Sequence, residues 1–364
     1  MALDKRFRVD LIHNYKFIIG KLEGCRQRKV VLRVQKLMAV MLGDRYGIGP
    51  EIVAAFLKDF RGDDQVKIAV VGDPAVFEQA RRVAAMDGAF EAVADFSSAR
   101  STDAPWCLVE RPFEAEVAPM GRVSATAGRE ILDTLGELLD AATAGSVDGI
   151  LYAPFNKQAL RDAGHAAADE LDFAIGHLGH TGVAGEINTL GGLWTSRVTS
   201  HVPLKDVVLH ISIESILTAI TLLDGVLRSA GIAEPRIAVA GINPHAGDGG
   251  AFGREEIELV EPAIAKAIAA GIQVEGPFPS DTIFPMAGSR GYNAIVTMYH
   301  DQGQIALKLM GLGKGVTVLA GLPVPIATPA HGTAYDIAGH GKARADGLRA
   351  AYDICRQMMV SKAS

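Results

Sequence analysis

The sequence has 364 residues, of which 49% are hydrophobic and 21% charged, and its formal net charge is −6. No apolar run reaches the ~20 residues that a membrane-spanning helix needs, and the negative charge offers no overall attraction for nucleic acid. The cysteines, Cys25, Cys107 and Cys355, are far apart and odd in number, which argues against a disulfide framework and predicts a reducing cytoplasm. A chain of this length exceeds what one core usually serves, so we expect two α/β lobes with a cleft between them.

The charge is unevenly distributed along the chain. Residues 1–36 carry ten Lys or Arg against three acidic residues. We therefore assign residues 1–37 to a basic N-terminal extension. A targeting segment or a nucleic-acid-binding arm is the functional alternative, but the segment has no continuous apolar stretch and its acidic residues are atypical of transit peptides.

The first predicted unit after the extension is a strand, a glycine loop and a helix. Residues 37–42 are apolar, residues 43–51 read Gly-Asp-Arg-Tyr-Gly-Ile-Gly-Pro-Glu, and residues 52–58 have helical spacing. Pro50 suits the first turn of a helix and Glu51 complements the positive end of its dipole. The glycines of this loop do not have the G-x-G-x-x-G spacing, so the conventional dinucleotide fingerprint is absent.

Strand and helix patterns continue to alternate after this unit. Further strands are predicted at residues 68–71, 149–152 and 315–319, and helices at residues 124–145, 213–231, 254–271 and before Val360. Gly191-Gly192 separates two strand-like runs, which predicts a hairpin on the edge of a second sheet. The alternation predicts a largely parallel, doubly wound sheet.

Three of the strand-like runs each lead to one histidine. The runs at residues 193–200, 237–242 and 294–298 are followed by His201, His245 and His300. The carboxyl ends of strands in open α/β sheets form the ligand crevice, so these histidines could converge on one divalent metal. The alternative is that each histidine caps a helix or hydrogen-bonds within its loop. The spacing alone leaves both interpretations open.

Nine motifs occur in order between Met38 and the C-terminus. They are Gly43-Asp-x-x-Gly-Ile-Gly-Pro-Glu51, Pro154-Phe-Asn-Lys157, His201-Val-Pro-Leu204, Asn243-Pro-His-Ala-Gly247, Gly253-x-Glu-Glu256, Gly276-Pro-x-Pro-x-Asp-Thr282, Met298-Tyr-His-Asp-Gln-Gly303, Gly321-Leu-Pro323 and His331-Gly-Thr-Ala-Tyr-Asp-Ile-Ala-Gly339. Together they resemble the 4-hydroxythreonine-4-phosphate dehydrogenase family. The last motif also resembles the NAD-binding loop of isocitrate and isopropylmalate dehydrogenases.

This resemblance implies an α/β fold of two α/β/α lobes with largely parallel sheets, like isocitrate and isopropylmalate dehydrogenases, and an active-site cleft between the lobes. Residues 38–150 plus 312–364 would form the first lobe with the NAD-binding loop. Residues 151–311 would form the second lobe with the metal and dimer contacts.

The resemblance also implies two cofactors and a partner. The residues that it assigns to NAD are His331, Gly332, Thr333, Ala334 and Asp336. The family's metal-binding histidines fall on His201, His245 and His300, and the metal would be zinc, or cobalt, manganese, iron or magnesium. The partner would be a second copy of the chain, in a homodimer whose metal site draws ligands from both chains; no nucleic-acid or membrane partner is expected.

The reaction implied by the family is the oxidation of a secondary alcohol by NAD, followed by loss of the carboxylate β to the new ketone. The metal would bind the hydroxyl, lower its pKa and stabilise the enolate left after decarboxylation. Lys308 matches a family substrate contact and could pair with a substrate anion or transfer a proton. Lys308 and Asp301 are the predicted catalytic residues.

The sequence departs from the family pattern at the substrate phosphate. The family's Gly-His-Thr-Glu aligns with residues 169–172, which places Glu170 and Leu171 at the substrate-contacting pair, and Thr317 stands at a family asparagine. Ile326 replaces the arginine that grips the phosphate, and isoleucine cannot imitate a bidentate, charge-assisted pair. Glu170, Leu171, Lys308, Thr317 and Ile326 are therefore the predicted substrate-binding residues.

These departures favour a non-phosphorylated β-hydroxy acid, a small carboxylic acid substrate. The family branch that fits is terephthalate 1,2-cis-dihydrodiol dehydrogenase, which forms protocatechuate and carbon dioxide in aromatic compound catabolism. The first alternative is 4-hydroxythreonine-4-phosphate dehydrogenase, or a related sugar-acid phosphate dehydrogenase, that recruits another cation. A second alternative, from another class, is a non-catalytic scaffold whose basic extension binds nucleic acid.

Overall fold

The computed structural model describes residues 35–114, 120–165, 169–311 and 313–361. The basic extension, on which the nucleic-acid-binding alternative rests, lies up to residue 34 outside the described residues. From Gln35 onward the chain is one compact unit. The division into lobes at residues 150 and 311 stays a prediction.

The described strands form one continuous, twelve-stranded sheet. They are β1 (Lys36–Met41), β2 (Val66–Gly72), β3 (Ala92–Val93), β4 (Trp106–Glu110), β5 (Gly149–Tyr152), β6 (Gly185–Leu190), β7 (Leu193–Arg197), β8 (Ile237–Ala240), β9 (Val274–Phe278), β10 (Ala294–Thr297), β11 (Val316–Ala320) and β12 (Ile326–Pro329). Their order is β3-β4-β2-β1-β5-β12-β11-β6-β7-β10-β8-β9. The pairs β11–β12, β11–β6 and β6–β7 are antiparallel and the others are parallel, which confirms the predicted α/β class with a largely parallel sheet.

The described helices connect these strands and cover the sheet. They are α1 (Gly49–Lys58), α2 (Pro74–Val83), α3 (Phe96–Ser101), α4 (Ala125–Thr143), α5 (Lys157–Asp162), α6 (Glu170–Leu178), α7 (Ile213–Ser229), α8 (Glu261–Ala269), α9 (Ser280–Arg290), α10 (His300–Gly311) and α11 (Asp346–Ser361). A 3₁₀ segment occurs at Leu204–His210, a turn with positive φ values at Pro244–Gly250, and a π-helical turn at Glu256–Val260, which precedes α8.

Both faces of the sheet are buried, as a parallel sheet with helices on both sides requires. In β1, Met38 and Val40 belong to one core cluster, whereas Leu37, Ala39 and Met41 belong to another, because successive strand residues point to opposite faces. Helices α1, α2, α7, α8 and α11 contribute to the first cluster, and α3, α4, α5 and α6 contribute to the second.

The predicted hairpin is present, but it lies inside the sheet and not at an edge. Strands β6 and β7 pair antiparallel around Gly191 and Gly192, both of which have positive φ, as such a tight turn requires. Strand β6 also pairs with β11, and β7 with β10. The hairpin and β11 therefore lie between two groups of parallel strands. Its amino acid pattern specifies the turn but not these distant partners.

Among the described residues, no single helix is both long and apolar enough to cross a membrane. The segments Leu204–His210 and Ile213–Ser229 are together long and apolar enough to cross a membrane, but a 90° bend separates them.

Candidate active site

Strands β7, β10 and β8 bring the three strand-end histidines to one edge of the sheet. Strand β10 lies between β7 and β8 and runs parallel to both, in a register that pairs Ala294 with Trp194 and with Ile237. The carboxyl ends of the three strands therefore lie side by side, and His201, His245 and His300 follow those ends.

His201 and His300 face each other at this edge. Their ring centroids are 5.9 Å apart, with the ring planes at 42°. The Nδ1 atom of His201 lies 3.1 Å from Oδ2 of Asp169, and Nδ1 of His300 lies 2.6 Å from Oδ1 of Asp301. Each histidine thus has a carboxylate at Nδ1, and this arrangement presents Nε2 to another partner.

His245 has a different environment. It is exposed, and its ring centroid is 6.0 Å from that of Phe252. In the part of the chain that the structure describes, no group of three or more His, Cys, Asp or Glu side chains is placed to hold a metal ion. One chain therefore brings together His201 and His300 but does not complete the predicted three-histidine set.

The backbone around His245 forms a left-handed turn. His245, Ala246 and Asp248 have φ values of 54°, 53° and 44°, and Gly247 and Gly249 between and after them also have positive φ. Left-handed backbone costs L-residues other than glycine about 1–2 kcal/mol each, so neighbouring contacts must hold this turn in place.

Glu256 supplies those contacts. This residue is 1% exposed, and its carboxylate accepts hydrogen bonds from the backbone N–H groups of Ile242 and Asn243 (2.8 and 2.7 Å) and from Nδ2 of Asn243 (2.9 Å). A Cβ atom added to Gly247 would lie 2.7 Å from Oε2 of Glu256. The motif at residues 253–256 therefore positions the turn that carries His245.

Gln302 connects the ends of two of the strands. Its Oε1 accepts from the backbone N–H of Met298 at 2.7 Å, and its Nε2 donates to the carbonyl of Gly241 and to Oγ of Ser280, both at 2.8 Å. Met298 follows β10 and Gly241 follows β8. Gln302 thus fixes the spacing between the segments that carry His300 and His245.

A cavity of about 650 Å³ lies beside His201. Asp169, Leu171, Glu186 and Arg197 are among the residues that line it. The guanidinium of Arg197, whose side chain is 7% exposed, pairs with Glu186 and donates to Ser200 and to Asn188. Arg197, a cationic side chain that lines this cavity, is therefore already paired with a carboxylate.

The predicted substrate-binding residues are not brought together at this cavity. Leu171 lines it, and Thr317 accepts a 2.9 Å hydrogen bond from Asn188, which in turn contacts Arg197. Ile326 is 1% exposed and packs in the core of the sheet, so a direct substrate contact from Ile326 is not what this structure shows. Lys308 is exposed on α10.

Glu170, the first residue of α6, lies close to two other carboxylates. Burial raises the pKa of the Glu170 carboxyl, Lys157 lowers it, and the nearby Glu186 and Asp169 carboxylates raise it further. Burial raises the pKa of the Tyr152 phenol well above its usual value, and Glu170, Glu186 and Asp169 raise it further. Glu170, Asp169 and Glu186 thus form a cluster of three carboxylates.

The predicted cofactor loop, residues 331–339, borders a second cavity of about 590 Å³. His331, Gly332 and Ala334 line it, together with the apolar side chains of Ile48, Ile337 and Ala343, the cationic side chains of Lys314, Lys342 and Arg344, and Asp346, which pairs with Arg344. Thr333 is buried and Asp336 is exposed, and neither of these two predicted cofactor-binding residues lines the cavity.

Residues 43–51, which we call the anchor motif, hydrogen-bond to the predicted cofactor loop and to Ala343 just after it. Ile48 donates its backbone N–H to the carbonyl of Thr333 at 3.0 Å. Glu51, 5% exposed, accepts from the backbone N–H groups of Gly339 (2.8 Å) and Ala343 (3.3 Å). The sequence indicated only that this loop borders a crevice. The signal in the sequence that could have predicted these contacts was the pair of acidic residues in the motif, Asp44 and Glu51, because carboxylates often accept hydrogen bonds from backbone N–H groups.

The family model described as "Pyridoxal phosphate biosynthetic protein PdxA" matches residues 64–355. The chain belongs to the PdxA family. The Pseudomonas aeruginosa protein named "Putative 4-hydroxythreonine-4-phosphate dehydrogenase 2" is 44% identical over 333 residues, which cover 90% of this chain and 98% of that protein. The "D-threonate 4-phosphate dehydrogenase" of Salmonella typhimurium is 34% identical over 325 residues, 89% of this chain and 99% of that protein.

Solved PdxA-family structures agree with this membership. The 4-hydroxythreonine-4-phosphate dehydrogenase of Klebsiella pneumoniae superposes with a TM-score of 0.77 at 32% identity and covers 89% of this chain and 100% of its own. A terephthalate 1,2-cis-dihydrodiol dehydrogenase of Burkholderia xenovorans has a TM-score of 0.62 at 28% identity, with 89% and 98% covered.

These findings confirm the resemblance to the PdxA family and change the order of the two substrate interpretations. Relatives named for phosphorylated substrates are more similar to this chain than the dihydrodiol dehydrogenase is. The phosphorylated alternative is therefore better supported than the dihydrodiol interpretation, to which the comparisons add no support beyond that more distant structure.

Proposed function

We propose that this PdxA-family protein is an NAD-linked, metal-dependent dehydrogenase of a small phosphorylated hydroxy acid, of the class named for its relatives: 4-hydroxythreonine-4-phosphate or D-threonate 4-phosphate. The observation that carries the proposal is the facing pair of His201 and His300 beside a cavity, each with a carboxylate at Nδ1. The family membership supplies the reaction and the substrate class.

The donor chemistry of the two histidines fits a divalent metal. A carboxylate at Nδ1 holds the ring in the tautomer whose Nε2 can bind a metal, an arrangement common in metal sites. His245 would complete the set from the second chain of a homodimer. His201 and His300, with His245 of the second chain, would hold a divalent metal, whose chemistry there would be to polarise the substrate hydroxyl and stabilise negative charge on its oxygen.

The chain's own residues would orient the substrate. Lys308 lies on α10, two turns after His300, and its exposed ammonium is the proposed partner of the substrate's anionic group or the proton carrier at its oxygen. Asp301 contacts His300 and not the cavity, so we assign it the orientation of that ring. If the product of oxidation is a β-keto acid, loss of carbon dioxide can follow.

The second cavity fits NAD, which accepts the hydride. Lys314 and Lys342 would supply positive charge for a pyrophosphate, whereas Arg344 is already paired with Asp346, and Gly332 and Ala334 leave room for close approach of the backbone. The anchor motif would keep this loop in its binding conformation.

A non-phosphorylated substrate, such as the dihydrodiol of terephthalate, is a second candidate because of one observation. Burial raises the pKa of the Glu170 carboxyl, and Glu186 and Asp169 lie close enough to raise it further; such a cluster of carboxylates repels a phosphate. A hydroxyl group would be accommodated more easily, since it can donate to a carboxylate.

The test is NAD reduction by the purified, metal-loaded protein with three substrates in parallel: 4-hydroxythreonine-4-phosphate, D-threonate 4-phosphate and the terephthalate dihydrodiol. Turnover of a phosphorylated acid, reduced at least tenfold in Lys308→Ala and unchanged in Lys266→Ala, is the expected result. Lys266 is a matched control because it is on α8 and pairs with Glu214. Turnover of the diol alone would overturn the phosphorylated substrate class, and no turnover with any of the three would overturn both candidates.

A further inference from the structure

We infer that Asp169 is a positioning residue for metal binding: its carboxylate fixes the ring of His201 so that Nε2 faces the metal. The inference rests on the proposed metal site and goes beyond it, because neither the family membership nor the three-histidine set assigns a role to residue 169.

Both oxygens of Asp169 have defined partners. Oδ1 accepts the backbone N–H of Asp172 at 3.0 Å, which makes Asp169 the N-cap of α6. Oδ2 lies 3.1 Å from Nδ1 of His201. The Asp169 side chain is 8% exposed, so solvent competes little for either contact. The helix cap therefore holds the carboxylate in place, and the carboxylate holds the histidine.

This contact selects one form of the His201 ring. A negatively charged carboxylate 3.1 Å from Nδ1 favours the neutral imidazole that carries its proton on Nδ1, which leaves the lone pair on Nε2. His201 is 45% exposed at its side chain, so without Asp169 its ring would be free to rotate. His300 has the same arrangement through Asp301. The two facing rings would thus be oriented in the same way.

The contact belongs to this chain's departure from the family pattern. The segment 169–172 replaces the family's Gly-His-Thr-Glu, and a glycine at residue 169 has no carboxylate to offer. The acidic residue at this position therefore has an explanation that does not involve the substrate.

The experiment measures metal affinity without substrate, by competition between a chelator and the full-length protein for Zn²⁺ and for Co²⁺. We expect Asp169→Ala to weaken binding by about 10–100-fold, as removal of such a carboxylate partner does in other metal sites. Asp169→Asn should lose less than Asp169→Ala, because it keeps a carbonyl oxygen beside Nδ1 of His201 and remains a good N-cap. The visible absorption of bound Co²⁺ should keep its shape in Asp169→Asn.

Asp95→Ala is the matched control. Asp95 caps α3 by accepting from Ser98 at 2.7 Å and has no histidine partner in the described structure. It should lose helix stability and keep metal affinity. Equal metal affinity in wild type, Asp169→Ala and Asp95→Ala would overturn the inference, and equally large losses in Asp169→Asn and Asp169→Ala would show that Asp169 binds the metal directly. A wild-type protein that binds neither ion would instead refute the proposed metal site.

Discussion

Tyr335 donates a 2.5 Å hydrogen bond to Asp44 and so joins two motifs that lie 291 residues apart in the sequence. Asp44 is fully buried and also accepts from the backbone N–H of Tyr46 at 2.9 Å. Burial and the hydrogen bond to Asp44 raise the pKa of the Tyr335 phenol, which therefore stays protonated and remains a donor. The anchor motif is thus bound to the middle of the cofactor loop as well as to its ends.

Tyr335→Phe should weaken cofactor binding. It removes a hydrogen bond to a buried carboxyl, which costs about 1.5–3 kcal/mol, and we expect the Kd for NAD to rise about tenfold if most of this loss affects the loop. Calorimetric titration with NAD measures this change in Kd. Tyr292→Phe is the control, since Tyr292 donates a 2.8 Å hydrogen bond to Glu275 on β9, far from the loop in sequence. Unchanged NAD affinity in Tyr335→Phe would show that Asp44 does not help to position the loop.

Gly47→Ala should displace the same loop by a steric route. A Cβ atom at residue 47 would lie 2.9 Å from Cβ of Thr333, which is closer than side chains pack. Such overpacking typically costs about 1–3 kcal/mol, so we expect a lower free energy of unfolding and weaker NAD binding. Gly288→Ala on α9 is the control, because a Cβ atom there meets nothing within 4 Å. Urea unfolding of both variants provides the comparison, and equal stabilities would contradict the predicted clash.

The local pattern of the sequence predicts most of the fold that positions the site. Apolar runs of four to six residues predicted β1, β8 and β10, and their shared direction follows from the alternation with helices. The place of the β6–β7 hairpin could not be predicted in the same way, because its pairing with β11 joins residues more than 120 positions apart. Periodicity determines which face of a strand is buried, but not its neighbours.

The candidate site was predicted less completely, for two physical reasons. The His201–Asp169 contact depends on tertiary structure, and the local pattern of neither segment contains a signal for it. The left-handed turn at His245 requires successive residues with positive φ, and it is stabilised by Glu256 from another motif. The resemblance identified the three histidines as metal ligands. Their orientation depends on Asp169 and Glu256, to which the resemblance assigned no role.

Glu130 should make stability depend on pH. Its side chain is 12% exposed, and burial raises the pKa of its carboxyl to about 7, although Arg45 lies 2.9 Å away and opposes the shift. The folded state then holds a proton that the unfolded state has lost between pH 4.5 and about 7. This contribution to stability is fully present below pH 4.5 and is lost as the pH rises through about 7. Its size is at most about 3 kcal/mol.

Glu130→Gln should flatten this part of the pH profile. Free energies of unfolding from urea titrations at pH 5, 6, 7 and 8 should fall less steeply with pH in the variant than in the wild type. Glu137→Gln is the control on the same helix, since the Glu137 side chain is 38% exposed and pairs with Arg111. Parallel profiles for wild type and Glu130→Gln would mean that Glu130 titrates in the same range folded and unfolded.

His245→Ala should abolish metal binding and leave the fold intact. His245 is exposed, so its truncation should change the free energy of unfolding by no more than about 0.5 kcal/mol. Metal content after dialysis measures the loss, and His177→Ala, an exposed histidine paired with Asp140, should keep its metal.

Mixing two inactive variants tests whether the site is shared. If a homodimer draws His245 from one chain and His201 from the other, re-associated dimers of His245→Ala and His201→Ala contain one intact site in each mixed dimer. Random pairing should then restore about a quarter of the wild-type metal content, because half of the dimers are mixed and each holds one site of two. A site built within one chain would restore none, since every chain in the mixture lacks one ligand. The metal content of the mixture therefore decides between a ligand set completed by the partner chain and one that forms by movement of the His245 turn toward His201 and His300.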